Sequence, residues 1–289
     1  MSDSPAYWIV GPGRIGTALA TVLAGIGPVR VIGRRELPAD HPIRALEVDY
    51  RVDPPGAPPA NTRVLLAVPD GAIGSAAAEL AARGAPGAGC TALHFSGAQP
   101  ASRLAPLAEA GYAIGSLHPL QTVADAAHGA ERLRGAFFTF EGAASAASAA
   151  RAIVESAGGR MLEVHGGDKA AYHAACVFAS NYVVACSAVA TRLLADAVGV
   201  SREEAARALQ PLWSGAAANL EDPGLPRALT GPIARGDVET VRANLAALDE
   251  GTKALYARLG LVALELSREL GLERGAAQAI EEELQKALA

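Results

Sequence analysis

The chain has 289 residues, a formal net charge of −5 and a mean hydropathy of +0.21, with 51% hydrophobic and 19% charged residues. That length buries a core without disulfide or metal staples, and that composition excludes intrinsic disorder for the bulk of the chain. Neither half is basic, so no nucleic-acid partner is expected.

The first half alternates strand and helix signals. Ala6–Val10 is a short apolar strand, Gly11–Gly13 a turn, and Arg14–Ala24 a helix. Val29–Gly33 is a second strand, and Thr62–Val68 is the clearest buried one. Asp70 follows as a potential helix cap. Strands follow at Thr91–Phe95, Tyr112–Leu117 and Ala136–Phe140, then a helix near Ala144–Ser156 and a strand at Met161–Val164. The stretch Asp53–Ala60 reads as a proline-rich surface loop. Such alternation implies an α/β fold, a parallel sheet with helices on both faces.

After Gly166–Gly167 the pattern becomes helical. Asp168–Val198 reads as one long helix, Ser201–Leu220 as another, then Asp237–Leu259 and two shorter helices. The expected domains are therefore residues 1–166 and 167–289. Within the long helix, Ala170–Thr191 carries no charge and has membrane-spanning length. It also holds His173, Ser180, Asn181, Ser187 and Thr191, and much of its apolar content is alanine. It is read as a buried central helix, with no membrane expected.

Gly11-Pro12-Gly13-Arg14-Ile15-Gly16 fits G-x-G-x-x-G after a strand and at the start of a helix. In that context it is a dinucleotide fingerprint. The first glycine makes the turn, the second admits the pyrophosphate, and the third lets helix and strand pack. The helix N-terminus adds free N–H groups for the phosphates. The second strand runs into Gly33, Arg34, Arg35 and Glu36. An NAD site places an acid in this region. Two guanidinium groups suit a ribose 2′-phosphate instead, so NADP(H) is the expected cofactor. Glu36 is the residue that dissents. Val68 and Pro69 end a strand on the edge where such sheets bind ligands.

Only three of the 25 cationic residues are lysines, namely Lys169, Lys253 and Lys286. Lys169 opens the long helix, and His173, Cys176 and Ser180 lie within about 40° of it at 100° per residue. Asn181 lies about 120° away. An ammonium or imidazole here can give a proton to a carbonyl oxygen or an imine nitrogen. Lys169 and His173 are therefore the catalytic candidates. His94-Phe95-Ser96-Gly97 and the run from Ser116 through His118 to Gln121 sit at strand ends. Ser96, His118, Gln121, Ser180, Asn181 and Arg235 are the substrate-binding candidates. Asp237 is expected to cap the helix after Arg235. The six histidines show no metal-ligand spacing, so no metal is expected. Cys90, Cys176 and Cys186 are an odd count. Free thiols and the lack of a signal peptide suggest a cytoplasmic location.

The G-x-G-x-x-G, the H-x-S-G strand end, SLHPLQT, DKAAYHAAxxFASNY and LTGPIARGD together resemble bacterial Rossmann-like oxidoreductases whose C-terminal helical domain is catalogued as a domain of unknown function. That family sits beside pyrroline-5-carboxylate reductases, ketopantoate reductases, deazaflavin-dependent NADP oxidoreductases and β-hydroxyacid dehydrogenases. The resemblance implies a Rossmann domain followed by an all-α domain like that of 6-phosphogluconate dehydrogenase, which commonly forms a homodimer. In ketopantoate reductases and β-hydroxyacid dehydrogenases a catalytic Lys is followed four residues later by Asn. Lys169 matches the Lys, while His173 stands at the Asn position. The function expected is NADPH-dependent reduction of a small polar carbonyl or imine. The alternative is an NADP(H)-binding sensor or scaffold without turnover. Cofactor binding without oxidation against a carbonyl and imine panel would mark the latter.

Overall fold

The computed structural model describes residues 6–53, 56–164 and 168–289. Pro54 and Pro55 of the proline-rich loop, and the Gly166–Gly167 boundary expected from sequence, lie outside the described residues. The chain divides into two compact units, Met1–Tyr182 and Val183–Ala289.

The first unit is built on an eight-stranded sheet. Its strands are β1 (Tyr7–Val10), β2 (Val29–Gly33), β3 (Asp49–Val52), β4 (Arg63–Leu66), β5 (Thr91–His94), β6 (Ala113–Pro119), β7 (Phe137–Gly142) and β8 (Arg160–Glu163). The spatial order is β3-β2-β1-β4-β5-β6-β7-β8. The connecting helices are α1 (Arg14–Leu23), α2 (Ile73–Ala81), α3 (Ala105–Glu109), α4 (Gly129–Leu133) and α5 (Ala144–Ser156).

Strand alternation sorts the core into two layers. Tyr7, Ile9, Val31, Leu65 and Leu93 face a cluster that includes Leu19 and Leu23 of α1 and Ile153 of α5. Trp8, Ile32, Val64, Leu66 and Ala92 face the other side, against Ile73, Ala77 and Leu80 of α2 and Leu107 of α3. A sheet covered on both faces needs continuous apolar strands, which the sequence supplies.

Four expectations change. β7 runs antiparallel to β6, so the sheet is not wholly parallel. The connection from β6 to β7 runs over residues 120–136 and includes the short α4. β3 was not foreseen. It is a short edge strand, half exposed, without an apolar pattern. The long helix is interrupted at Ser180, giving α6 (Lys169–Ala179) and α7 (Asn181–Val198). The helix expected over Asp237–Leu259 is two helices, because Asp249 accepts from the Thr252 backbone N–H and starts a new one.

The second unit begins in α7 and continues through α8 (Arg202–Glu221), α9 (Pro232–Arg235), α10 (Val238–Ala246), α11 (Glu250–Glu269) and α12 (Arg274–Lys286). From residue 168 onward no described residue lies in a strand. Ile233, Val241, Leu245, Ala257, Leu264, Ile280 and Leu284 form the core of α9–α12. By contrast, α7 buries only Ala195 and α8 only Ala205. The expectation of a buried central helix is therefore overturned within one chain: Val183 and Val184 are 56% and 69% exposed. Lys169–Val198 remains, by length and composition, the one candidate membrane span among the described residues.

Candidate active site

The glycine turn leaves β1 at Val10. Gly11 sits at φ +104°, and a Cβ there would meet the Ala67 carbonyl oxygen. Its N–H donates to the Ile32 carbonyl at 2.9 Å, while Ala67 N–H donates to Val10 at 2.8 Å. The turn is thus wedged among the ends of β1, β2 and β4. Gly16 closes it from behind, since a Cβ at Gly16 would run into the Gly11 carbonyl. At Gly13 the space is open. α1 starts there with no side-chain cap, so its first N–H groups stay available.

Above the turn lies a cavity of about 660 Å³ lined by Gly11, Pro12, Gly13, Arg34, Arg35, Val68 and Pro69. These seven were expected. Arg14, Ile15 and Gly16 were expected too, but they do not line it. Arg14 donates to the Ala124 carbonyl at 3.2 Å, Ile15 packs on the core, and Gly16 packs against the turn. Helical geometry turns Arg14 and Ile15 away from the cavity, and Gly16 faces the back of the turn. Glu36, His41, Asp53, Ala72, Ala76 and Glu79 also line the cavity. Glu79 lies 3.9 Å from the exposed Arg34 guanidinium. The Tyr50 hydroxyl donates to the Arg35 carbonyl at 2.5 Å. A Cβ on Gly33 would collide with that hydroxyl, so glycine there lets Tyr50 hold the arginine loop.

His41 braces the turn from the other side. Its Nδ1 accepts from the Ile43 N–H at 3.3 Å, which leaves Nε2–H to donate to the Pro12 carbonyl at 3.1 Å. The sequence carried a weak signal for it, a histidine between Asp40 and Pro42 with no periodicity to place it.

A second group of polar side chains gathers further along the same sheet edge. Val10, Leu66, His94, Ser116 and Glu141 form one row across β1, β4, β5, β6 and β7. Lys169 reaches this row from the start of α6. Its ammonium donates to Ser116 Oγ and lies 3.8 Å from Glu141 Oε2. Ser116 Oγ in turn donates to the Ser96 carbonyl at 3.2 Å. Ser96 donates to Asp70 Oδ2 at 2.8 Å and accepts from the N–H groups of Ala98 and Gln99. Asp70 thus serves Ser96, not the helix cap expected of it, because Pro69 occupies the N-cap position.

Lys169 is only 7% exposed. Burial pushes its pKa down, while Glu141 and Asp70 oppose that shift. His94 is fully buried, accepts from the Ser96 N–H and donates to the Pro100 carbonyl. Burial pushes its pKa down to about 4. His118 is also pushed down to about 4, by burial first and then by the Lys169 charge. Its Nδ1 lies 2.6 Å from the Tyr172 hydroxyl. The His118 and His173 rings stand edge to face, with centroids 6.4 Å apart. Both close on Gly97, where a Cβ would meet His173 Nδ1 and His118 Nε2.

The structure therefore brings together four of the eight expected catalytic and substrate residues: Lys169, His173, Ser96 and His118. Gln121 is exposed, and its amide oxygen accepts from the Thr122 N–H. Ser180 caps the end of α6, and Asn181 opens α7. Neither makes a described hydrogen bond into the cluster. Arg235 belongs to the second unit, in the last turn of α9, and Asp237 caps α10 as expected. Glu141, Tyr172 and Gly97 were missed. A glutamate in a strand and a tyrosine on a helix both read as ordinary until the register is known.

Over residues 6–119 the chain matches the model of a Rossmann-like domain, and over residues 136–263 that of a domain of unknown function, DUF2520. No curated protein matches the sequence. Among solved structures, a Thermotoga maritima protein superposes with a TM-score of 0.72 at 22% identity, covering 91% of this chain and 98% of that one. A candidate NADP oxidoreductase from Bacteroides fragilis superposes at 0.66 and 20% identity, covering 90% and 98%. Pyrroline carboxylate reductase from Plasmodium falciparum, with NADP bound, superposes at 0.53 and 14% identity, covering 98% of each. Likeness at these identities establishes the fold. The two matches follow one another along the chain, the Rossmann-like model first and the DUF2520 model after it.

Proposed function

We propose that this protein is an NADPH-dependent oxidoreductase that reduces a small polar carbonyl or imine compound. The observation that carries the reading is the pairing of two features on one sheet edge. The glycine-turn cavity lies at the ends of β1, β2 and β4, and the Lys169 cluster at the ends of β5, β6 and β7. From β1 to β6 is three strand spacings, about 14 Å, a span suited to an extended dinucleotide.

The residues fit NADP(H). Gly11 and Gly13 keep the turn free of side chains where a pyrophosphate would lie, and the uncapped α1 N-terminus offers N–H donors. Arg34 and Arg35 stand at the cavity rim, where their guanidinium groups can grip a 2′-phosphate. When bound, the cofactor supplies a hydride. The NADP-bound pyrroline carboxylate reductase of the same fold supports the assignment.

The chain's own residues supply the rest. Lys169 Nζ holds the proton that the reduced heteroatom needs. Ser116 fixes the direction of that ammonium, and Glu141 keeps it charged against the penalty of burial. Asp70 and the backbone N–H groups of Ala98 and Gln99 pin Ser96. His118 and His173 border the space over Gly97, where substrate would be oriented. His94 spends both ring nitrogens on the backbone and is a brace.

The reading includes a second copy of the chain. Most of the stability of a helix in a protein comes from packing of its apolar face. α7 and α8 each bury one alanine, and they expose Val183, Val184, Val198, Leu212 and Leu220. A homodimer would cover them.

The test is direct titration with NADPH and NADH. Hydrogen bonds to charged groups contribute roughly 1.5–3 kcal/mol each, so NADPH should bind at least about tenfold tighter. Replacing both Arg34 and Arg35 by serine should abolish that preference while NADH binding persists. If neither dinucleotide binds at sub-millimolar concentration, the reading is overturned.

A further inference from the structure

His118 and His173 close on Gly97, and each presents there a ring nitrogen without a protein hydrogen bond. His173 Nδ1 is the buried side-chain polar atom that has no partner among the described residues. His118 Nε2 makes no described hydrogen bond either, and its other nitrogen is taken by Tyr172. We infer that Tyr172 locks His118 as its Nε2–H tautomer, making it a neutral hydrogen-bond donor to the substrate's carbonyl oxygen or imine nitrogen beside Gly97. The nature of the acceptor rests on the reductase reading, but the tautomer does not.

His118 is surrounded by Lys169, His173 and His94, while the Asp70 carboxylate favours a cation. Burial and the ammonium together keep the ring neutral, so it carries one proton. Either ring nitrogen could hold that proton. The Tyr172 phenol is itself buried, which raises its pKa and keeps its proton in place. A phenol O–H is a better donor than an imidazole N–H, and an imidazole sp² nitrogen is a better acceptor than a phenol oxygen. A separation of 2.6 Å between Tyr172 Oη and His118 Nδ1 suits the phenol as donor. The ring proton then lies on Nε2, the nitrogen that borders Gly97.

A neutral imidazole stabilises negative charge growing on a substrate heteroatom without surrendering its own proton. That differs from the work given to Lys169, which holds a transferable proton. It also differs from His94, whose tautomer the backbone fixes and whose nitrogens are both spent. The absence of a side chain at Gly97 is what lets the two rings approach. Tyr172 is a positioning residue, acting through His118.

The experiment is a long-range ¹H–¹⁵N spectrum of the ring nitrogens in the full chain without cofactor, with His118→Gln to assign the signals. The expected result is at least a tenfold excess of the Nε2–H form at His118. Tyr172→Phe should reduce that excess to a mixture while its amide spectrum stays folded. A predominant Nδ1–H form in the wild type overturns the inference, and so does an unchanged ratio in Tyr172→Phe. If the variant does not fold, the wild-type spectrum alone still decides. Because no dinucleotide is present, a failure of cofactor binding is a separate result.

Discussion

At the scale of single residues, the site is governed by which groups are kept uncharged. His94 and His118 both have folded pKa values near 4 against an ordinary 6.5. In the window between about pH 6.5 and pH 4 the unfolded chain binds protons that the folded chain does not. Their contribution to stability is therefore complete above that window and is lost as pH falls through it. Urea unfolding should give a lower midpoint at about pH 5 than at about pH 7.5, with the difference reduced in His118→Gln. Equal midpoints at the two pH values would contradict the burial of these rings. Lys169 was legible at this scale, because an arginine-rich chain spends few lysines and this one opens a helix beside a glycine pair. Glu141 was not legible. Its role arises from the antiparallel pairing that sets it opposite Ser116, a long-range fact that local pattern does not contain.

Among elements, the decisive feature is how closely strand ends and the start of α6 approach. Gly97 follows β5 and faces rings from β6 and α6. A methyl group there would sit 2.8 Å from His173 Nδ1 and 2.9 Å from His118 Nε2. Gly97→Ala should therefore destabilise the first unit by about 1–3 kcal/mol, as overpacking does, and lower the melting temperature. A variant that melts with the wild type would show that the rings do not close on this glycine. Most elements were readable because buried strands and amphipathic helices announce themselves by period. The misses share one cause. β3 lacks an apolar pattern, nothing local marks the direction of β7, and the break at Ser180 follows no proline or glycine.

For the whole molecule, the open question in one chain is what covers α7 and α8. Sedimentation at micromolar concentration should find a homodimer, and Val184→Asp should shift it to monomer, because a carboxylate buried at an apolar interface is costly. A wild-type monomer that partitions onto lipid vesicles would refute the dimer and give the apolar stretch Lys169–Val198 a different meaning.

The sequence by itself determined the α/β class, the helical second half, the glycine turn, the arginine pair and the place of Lys169 at the start of a helix. Each of these is written in neighbouring residues or in a short period, and local sterics and periodicity act over that range. Only the tertiary structure decided which polar groups meet. Ser116, Glu141 and Tyr172 come from three separate elements and Gly97 from the loop after β5, and they converge because strand register and the entry of α6 set their positions. It also drew Asp70 to Ser96 and placed His41 under the glycine turn. Those outcomes depend on packing between segments far apart in the chain, which no local pattern encodes.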